Sequence, residues 1–159
     1  MPTRPRKMIK YVPHMTSVVL EEIPKRVTLA VEISSCQGNC AGCHSPWLRT
    51  DMGEELTPAA IDALIDDNFG VNCFLLLGEG ADMVALLGVA EYLRSAHPSL
   101  ERALYSGRTQ VEDEIWEAFD YVKIGPYIAE KGPLNEPGTN QRLFYHKEDI
   151  TSLFWRKKH

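Results

Sequence analysis

The chain lacks a long apolar run. No stretch approaches about 18 consecutive apolar residues, so no membrane-spanning helix is legible in it. The basic opening MPTRPRKMIK is not followed by the unbroken apolar segment of a secretory leader. These absences lead us to expect a soluble, cytoplasmic protein with no membrane partner. Positive charge is also scarce: 17 Lys and Arg against 22 Asp and Glu give a formal net charge of −5. That balance gives no electrostatic footprint for nucleic acid. Internal repeats, low-complexity tracts and linkers are missing too. At 159 residues we expect a single domain, 1–159, with its core at about 27–145 and peripheral segments at 1–16 and 151–159. A chain of this length buries about two-thirds of its unfolded surface, so it needs no disulfide staples.

Cysteine is sparse but crowded. Of four cysteines, three fall in CQGNCAGCHSPW, residues 36–47, as Cys36, Cys40 and Cys43. That spacing makes a poor disulfide framework and a good metal cluster, and Gly38 and Gly42 let the backbone fold tightly around one centre. A structural zinc site would want four protein ligands, and His44, adjacent to Cys43, is awkwardly placed to be the fourth. Three thiolates around a cubane of four irons instead leave one iron open to a small molecule. Cys73, mid-strand among Val71, Phe74 and Leu75, reads as a buried core thiol.

Hydrophobic patterning alternates strands with helices. Val18 to Glu22 reads as an extended piece, with a turn at Ile23-Pro24-Lys25, and VTLAVEIS, residues 27–34, as the strand that leads into the cysteine loop. Thr57 caps a helix with Pro58 at its first position and Ile61, Leu64, Ile65 and Phe69 on its apolar face. VNCFLLL, residues 71–77, has the continuous apolar character of a strand buried on both faces. Asp82 caps a second helix, with Met83, Val84, Leu86, Leu87, Ala90 and Leu93 as its apolar face and His97-Pro98 as its stop. Arg102 to Ser106 is the next strand. Thr109 with Glu112 is a capping-box pattern opening a helix lined by Val111, Ile115, Trp116 and Phe119. Tyr121 to Ile124 is a further strand, and Leu143 to Tyr145 a last one. The intervening Gly125 to Gly138 segment, with three prolines and three glycines, reads as an irregular loop. The order predicts an α/β fold whose ligands gather at the carboxyl ends of the strands.

The cysteine spacing resembles the signature of the radical S-adenosylmethionine superfamily, in the version found in activating proteins of anaerobic ribonucleotide reductases. LLLGEG at 75–80 is similar to that family's Gly-Gly-acid motif, LYSGRT at 104–109 to its third-strand end, and KIGPYI (123–128) with GTNQRLF (138–144) to its C-terminal block. Leu77 stands where the first glycine is expected, and Ile124 where relatives carry an acid. The resemblance implies an open partial (β/α) barrel of the radical SAM type, with a mostly parallel sheet flanked by helices. It implies a [4Fe-4S] cluster on Cys36, Cys40 and Cys43, with S-adenosyl-L-methionine on the open iron. Gly42, Cys43, His44, Gly78, Glu79 and Ser106 are the candidate cofactor-binding residues, Glu79 accepting from the cofactor ammonium. Gly107 is a further candidate at the third strand end. Asn140, Gln141 and Arg142 could serve the cofactor or the partner, or order the loop through Asn140. The implied activity is reductive cleavage of the cofactor, the electron coming from a donor such as a flavodoxin. The resulting radical takes a hydrogen from a glycine in the large subunit of the anaerobic reductase. Two alternatives remain: another radical S-adenosylmethionine reaction, or a non-catalytic zinc-binding module.

Overall fold

The structure, a computed structural model, describes residues 9–13, 16–19, 23, 26–33, 54–79, 82–126, 130–131 and 139–154 of the 159. Along the chain these form β1 (Lys10–Tyr11), β2 (Ser17–Val19), β3 (Thr28–Glu32), β4 (Glu54–Glu55), α1 (Pro58–Asp67), β5 (Cys73–Leu77), α2 (Met83–Ala96), β6 (Glu101–Tyr105), α3 (Asp113–Ala118), β7 (Tyr121–Ile124), β8 (Arg142–Tyr145) and β9 (Glu148–Asp149), and then a 3₁₀ turn Thr151–Phe154. Among the described residues one seven-stranded sheet runs β2-β3-β5-β6-β7-β8-β9, and β1 pairs with β4.

The fold is α/β and the sheet is mixed. Only its centre is parallel, through β3 to β5, β5 to β6 and β6 to β7. The β2–β3, β7–β8 and β8–β9 pairings are antiparallel. This corrects the expectation of a mostly parallel sheet, and chain length explains part of it. Parallel neighbours need a crossover of about a dozen residues or more, whereas β8 reaches β9 through His146 and Lys147 alone. Both of those residues have positive φ, 47° and 69°, the sign that lets a two-residue hairpin match the twist of its strands.

The four parallel strands follow chain order without reversal. Right-handed crossovers then bring every connecting helix to the same side. Leu29, Val31 and Ile33 of the β3 segment, Phe74 and Leu76 of β5, Leu104 of β6 and Val122 of β7 accordingly pack with Ile61, Leu86, Val89, Leu93, Ile115 and Phe119 in one core. The opposite face carries Ala30, Cys73, Leu75, Ala103, Tyr121 and Leu143 with Ile23, and no helix among the described residues. Strand β5 is thus buried on both faces, as its apolar run predicts.

The helix ends follow the local chemistry. The Thr57 hydroxyl accepts from Ala60 N at 3.1 Å with Pro58 opening α1. Asp82 accepts from Val84 N at 2.8 Å and Ala85 N at 3.3 Å to open α2. Three expectations change. Phe69 lies beyond α1, which ends at Asp67, and is fully exposed. Met83 and Val84 are exposed, and the buried stripe of α2 is Leu86, Val89, Ala90 and Leu93. The capping box at Thr109 does not form, because α3 starts at Asp113 and the Glu112 carboxylate is held by Arg108 instead. In the flanking segments Ile9, Tyr11 and Val12 are buried, and the buried Thr151 hydroxyl accepts from Leu143 N at 2.8 Å.

Candidate functional site

The carboxyl ends of β3, β5, β6 and β7 are stitched side by side. Ile33 N donates to Leu77 O at 3.3 Å, Ser106 N to Lys123 O at 2.8 Å and Gly125 N to Arg108 O at 2.7 Å. Gly78, immediately after β5, has φ +127°, a region that L side chains avoid. A Cβ there would make ordinary contact with Ile33 Cβ at 3.4 Å, so its requirement for glycine is torsional. The turn it makes aims Glu79 toward β6.

Glu79 is heavily engaged. Ser106 Oγ donates to its Oε2 at 2.5 Å, Arg108 Nε to the same oxygen at 3.0 Å, and Arg108 Nη2 to Oε1. The Glu79 side chain is only 17% exposed. The Ser106 hydroxyl also accepts from Arg108 N at 3.1 Å, which fixes the turn that follows β6. The other side of the guanidinium holds Glu112 through 2.7 and 2.8 Å contacts. These contacts, with the backbone, hold the Glu112 carboxyl down at about 2, and the two carboxylates, Glu112 first, push the Arg108 pKa up. The structure therefore brings Gly78, Glu79 and Ser106 together, as the strand-end reading predicts, and adds Arg108 at their centre.

A second polar feature lies on the helix-free face. Glu32 shares the side of β3 that carries Ala30, and the register aligns it with Leu77, then Tyr105, then Lys123, then Leu143. The Lys123 ammonium lies over the Tyr105 ring, 4.8 Å from its centroid, a cation–π contact. Glu32 is half-buried, and burial pushes its carboxyl pKa up.

Near the start of the C-terminal block, Asn140 Nδ2 donates to Pro126 O at 3.0 Å, and Gln141 Nε2 to Gly125 O at 3.4 Å. Asn140 Oδ1 is buried with no hydrogen-bond partner among the described residues. Asn140 thus ties the start of the Gly125 to Gly138 segment, in line with the loop-ordering reading. Arg142 on β8 is directed to Asp149, 3.9 Å away, rather than to the strand ends.

Cys36, Cys40, Gly42, Cys43 and His44 lie outside the described residues. Among the described residues no group of three or more His, Cys, Asp or Glu converges as a metal site. Cys73 is fully buried, and desolvation pushes its thiol pKa to about 12, which suits an inert core thiol. At the opposite ends of the strands, Arg26 bonds Glu101 at 2.8 Å and the Tyr121 hydroxyl at 3.3 Å, and the Tyr145 hydroxyl donates to Glu101 at 3.2 Å. That cluster closes the sheet away from the candidate site.

Sequence reasoning missed Arg108 and Glu32. Arg108 was legible as a cation following a Ser-Gly turn and four residues before Glu112, a spacing that pairs side chains. Glu32 was legible as the one acid in an otherwise apolar strand. A scan against protein-family models finds no match, and a search of curated proteins finds no relative.

Proposed function

We propose that the chain is a cytoplasmic radical S-adenosylmethionine activase that installs a glycyl radical on the large subunit of anaerobic ribonucleotide reductase. The observation that carries this reading is the Cys36, Cys40, Cys43 spacing placed directly after β3, the first strand of an unreversed parallel run. Unreversed order with helices on one side is the arrangement of a partial (β/α) barrel. The Gly78-Glu79 pair at the next strand end supports the same reading.

The residues fit the proposed groups. For the cluster, the sequence offers three closely spaced thiolates, with Cys73 buried in the core, which suits four irons with one left open. For S-adenosylmethionine, Gly78 presents backbone with no side chain in front of it. Glu79 offers about four lone-pair sites, of which Ser106 and Arg108 take three, leaving one for an ammonium N–H. Bound together, and given one electron from an external reductant, the two groups would supply cleavage of the sulfonium C–S bond to methionine and a primary carbon radical. The chain's own residues position and shield. Arg108 and Ser106 hold the Glu79 carboxylate in one orientation, and Leu75 and Ala103 keep the floor of the helix-free face apolar.

Four parallel strands cannot close an eight-stranded barrel. The strand ends therefore stay open to one side, which suits a polypeptide substrate better than a small molecule needing walls. The test is anaerobic reconstitution with iron and sulfide, then reductant, S-adenosylmethionine and the large reductase subunit. The expected results are an oxygen-sensitive brown protein, 5′-deoxyadenosine with methionine, and a paramagnetic signal on the subunit that changes with deuterium at its glycine α-carbons. Product without a radical on the subunit would move the reading to a different radical S-adenosylmethionine reaction. Stoichiometric zinc in place of iron would move it to a binding module.

A further inference from the structure

Glu32 stands out on the helix-free face because, among the described residues, no opposite charge compensates it. It closes β3 half-buried, four residues before Cys36, and among the described residues no donor or cation reaches its carboxylate. Its backbone is engaged, pairing with Leu77 in the sheet and accepting at its carbonyl from Val12 N at 3.0 Å. Lys123 sits at the far side of the same register row, over the Tyr105 ring. Three strand spacings of about 4.8 Å separate the two backbone positions. A carboxylate held partly out of water without a partner is costly, and glutamine would fit the same strand position without the charge.

Glu79, at the end of the neighbouring strand, has the opposite character, with its charge already matched by Arg108. The two carboxylates therefore suit different parts of one ligand. An ammonium group brings N–H donors and fits the remaining lone pair of Glu79. A sulfonium brings positive charge and no donor, so it is recognised by a nearby negative field rather than by hydrogen-bond geometry. Glu32 supplies such a field at the carboxyl end of β3, four residues before Cys36 in the sequence.

We propose that Glu32 is a specificity-determining residue whose carboxylate reads the sulfonium charge of S-adenosylmethionine and favours the cationic cofactor over its neutral thioether counterpart. The inference rests on the radical S-adenosylmethionine reading. It gives product release a physical basis, since methionine carries a neutral thioether that Glu32 no longer attracts.

The experiment is anaerobic calorimetry on cluster-loaded protein, titrated with S-adenosylmethionine and separately with S-adenosylhomocysteine. Glu32→Gln should bind S-adenosylmethionine about tenfold more weakly while changing S-adenosylhomocysteine by less than about twofold, the difference expected for one partly screened charge–charge contact. Glu32→Asp, which keeps the charge, should retain most of the wild-type preference. Iron content and circular dichroism confirm that each variant is loaded and folded. An unchanged preference in Glu32→Gln overturns the proposal, as does an equal loss for both ligands, which would mean that Glu32 shapes the site without reading charge. Wild-type protein that loads iron and binds neither ligand overturns the parent reading and this proposal with it.

Discussion

Arg108 grips Glu79 with two nitrogens across the ends of neighbouring strands, and the same guanidinium holds Glu112 four residues on. One cation thereby orients a carboxylate at the candidate site and anchors the start of α3. The contact is partly solvated, since the Arg108 side chain is 40% exposed, so its worth is modest. In a double-mutant cycle of Arg108→Met with Glu79→Gln, read by urea denaturation, the coupling should be about 1 kcal/mol. A value below about 0.3 kcal/mol would mean that the pair does not act as a unit.

Glu79→Gln should leave iron loading intact and weaken S-adenosylmethionine binding by about 1–3 kcal/mol, through loss of a charge-assisted hydrogen bond. Unchanged calorimetric affinity would return Glu79 to a purely structural part in the Arg108 network.

Acid sensitivity should map to Glu112. Its carboxyl is held at about 2, below the ordinary 4.5, chiefly by Arg108. A depressed folded pKa gives stabilisation that is complete above the unfolded value and is lost as pH falls through the folded one. Wild-type protein should therefore lose stability between about pH 4.5 and 2 more steeply than Glu112→Gln. Parallel curves for the two proteins would remove Glu112 from the account.

Replacing Cys36, Cys40 or Cys43 singly with alanine should abolish iron loading, because a methyl group cannot ligate iron. Cys73→Ala should keep it. With its thiol pushed to about 12 and fully buried, Cys73 should also resist alkylation at pH 8 in the folded protein. Loss of iron in Cys73→Ala would contradict its place in the core.

Much of the sheet was legible because β5 is a continuous apolar run and because Thr57-Pro58 and Asp82 are strong local start signals. The antiparallel margins were less so. The His146-Lys147 turn carries neither glycine nor asparagine, and its two positive φ values are imposed by the β8–β9 pairing rather than by residue type. The start of α3 was misread because Thr109 and Glu112 have capping-box spacing, yet Arg108 competes for the same carboxylate and wins with two charge-assisted contacts. Phe69 fits the helical period but sits just before Gly70, whose φ of +96° belongs to the turn beyond α1. At the site, Gly78, Glu79 and Ser106 could be placed at strand ends from sequence, while the Arg108 bridge depends on a register between strands that no local pattern encodes.

Glu32→Gln should stabilise the protein at neutral pH. Burial raises the Glu32 pKa, so the folded state disfavours the ionised form. The favourable, neutral state is fully present below the unfolded pKa and is lost as pH rises through the folded one. The advantage of the variant should be absent near pH 4 and appear as pH climbs toward 7, a pattern expected where a functional residue is kept at a cost to stability. Equal stability at both pH values would mean that the carboxylate is better solvated than its burial implies.

Gly125→Ala should destabilise the protein more than Gly78→Ala, although both glycines sit at strand ends with positive φ. At Gly78 the added Cβ has room, at 3.4 Å from Ile33 Cβ, so the cost is torsional, about 1–2 kcal/mol. At Gly125 φ is +101°, and the Cβ would also come within 3.1 Å of Asn140 O and 3.2 Å of Gln141 Cα. Both neighbours are backbone and cannot swing away as a flexible side chain would. The same glycine donates its N–H to Arg108 O at 2.7 Å and accepts at its carbonyl from Gln141 Nε2. Relieving the clash would therefore pull either on the Arg108 turn or on the segment that carries Asn140. Chemical denaturation should rank the variants with Gly125→Ala the less stable, and in Gly125→Ala the Arg108–Glu79 coupling should shrink. If Gly78→Ala proves the more damaging, the close approach of the C-terminal block to β7 is not the constraint that holds Gly125.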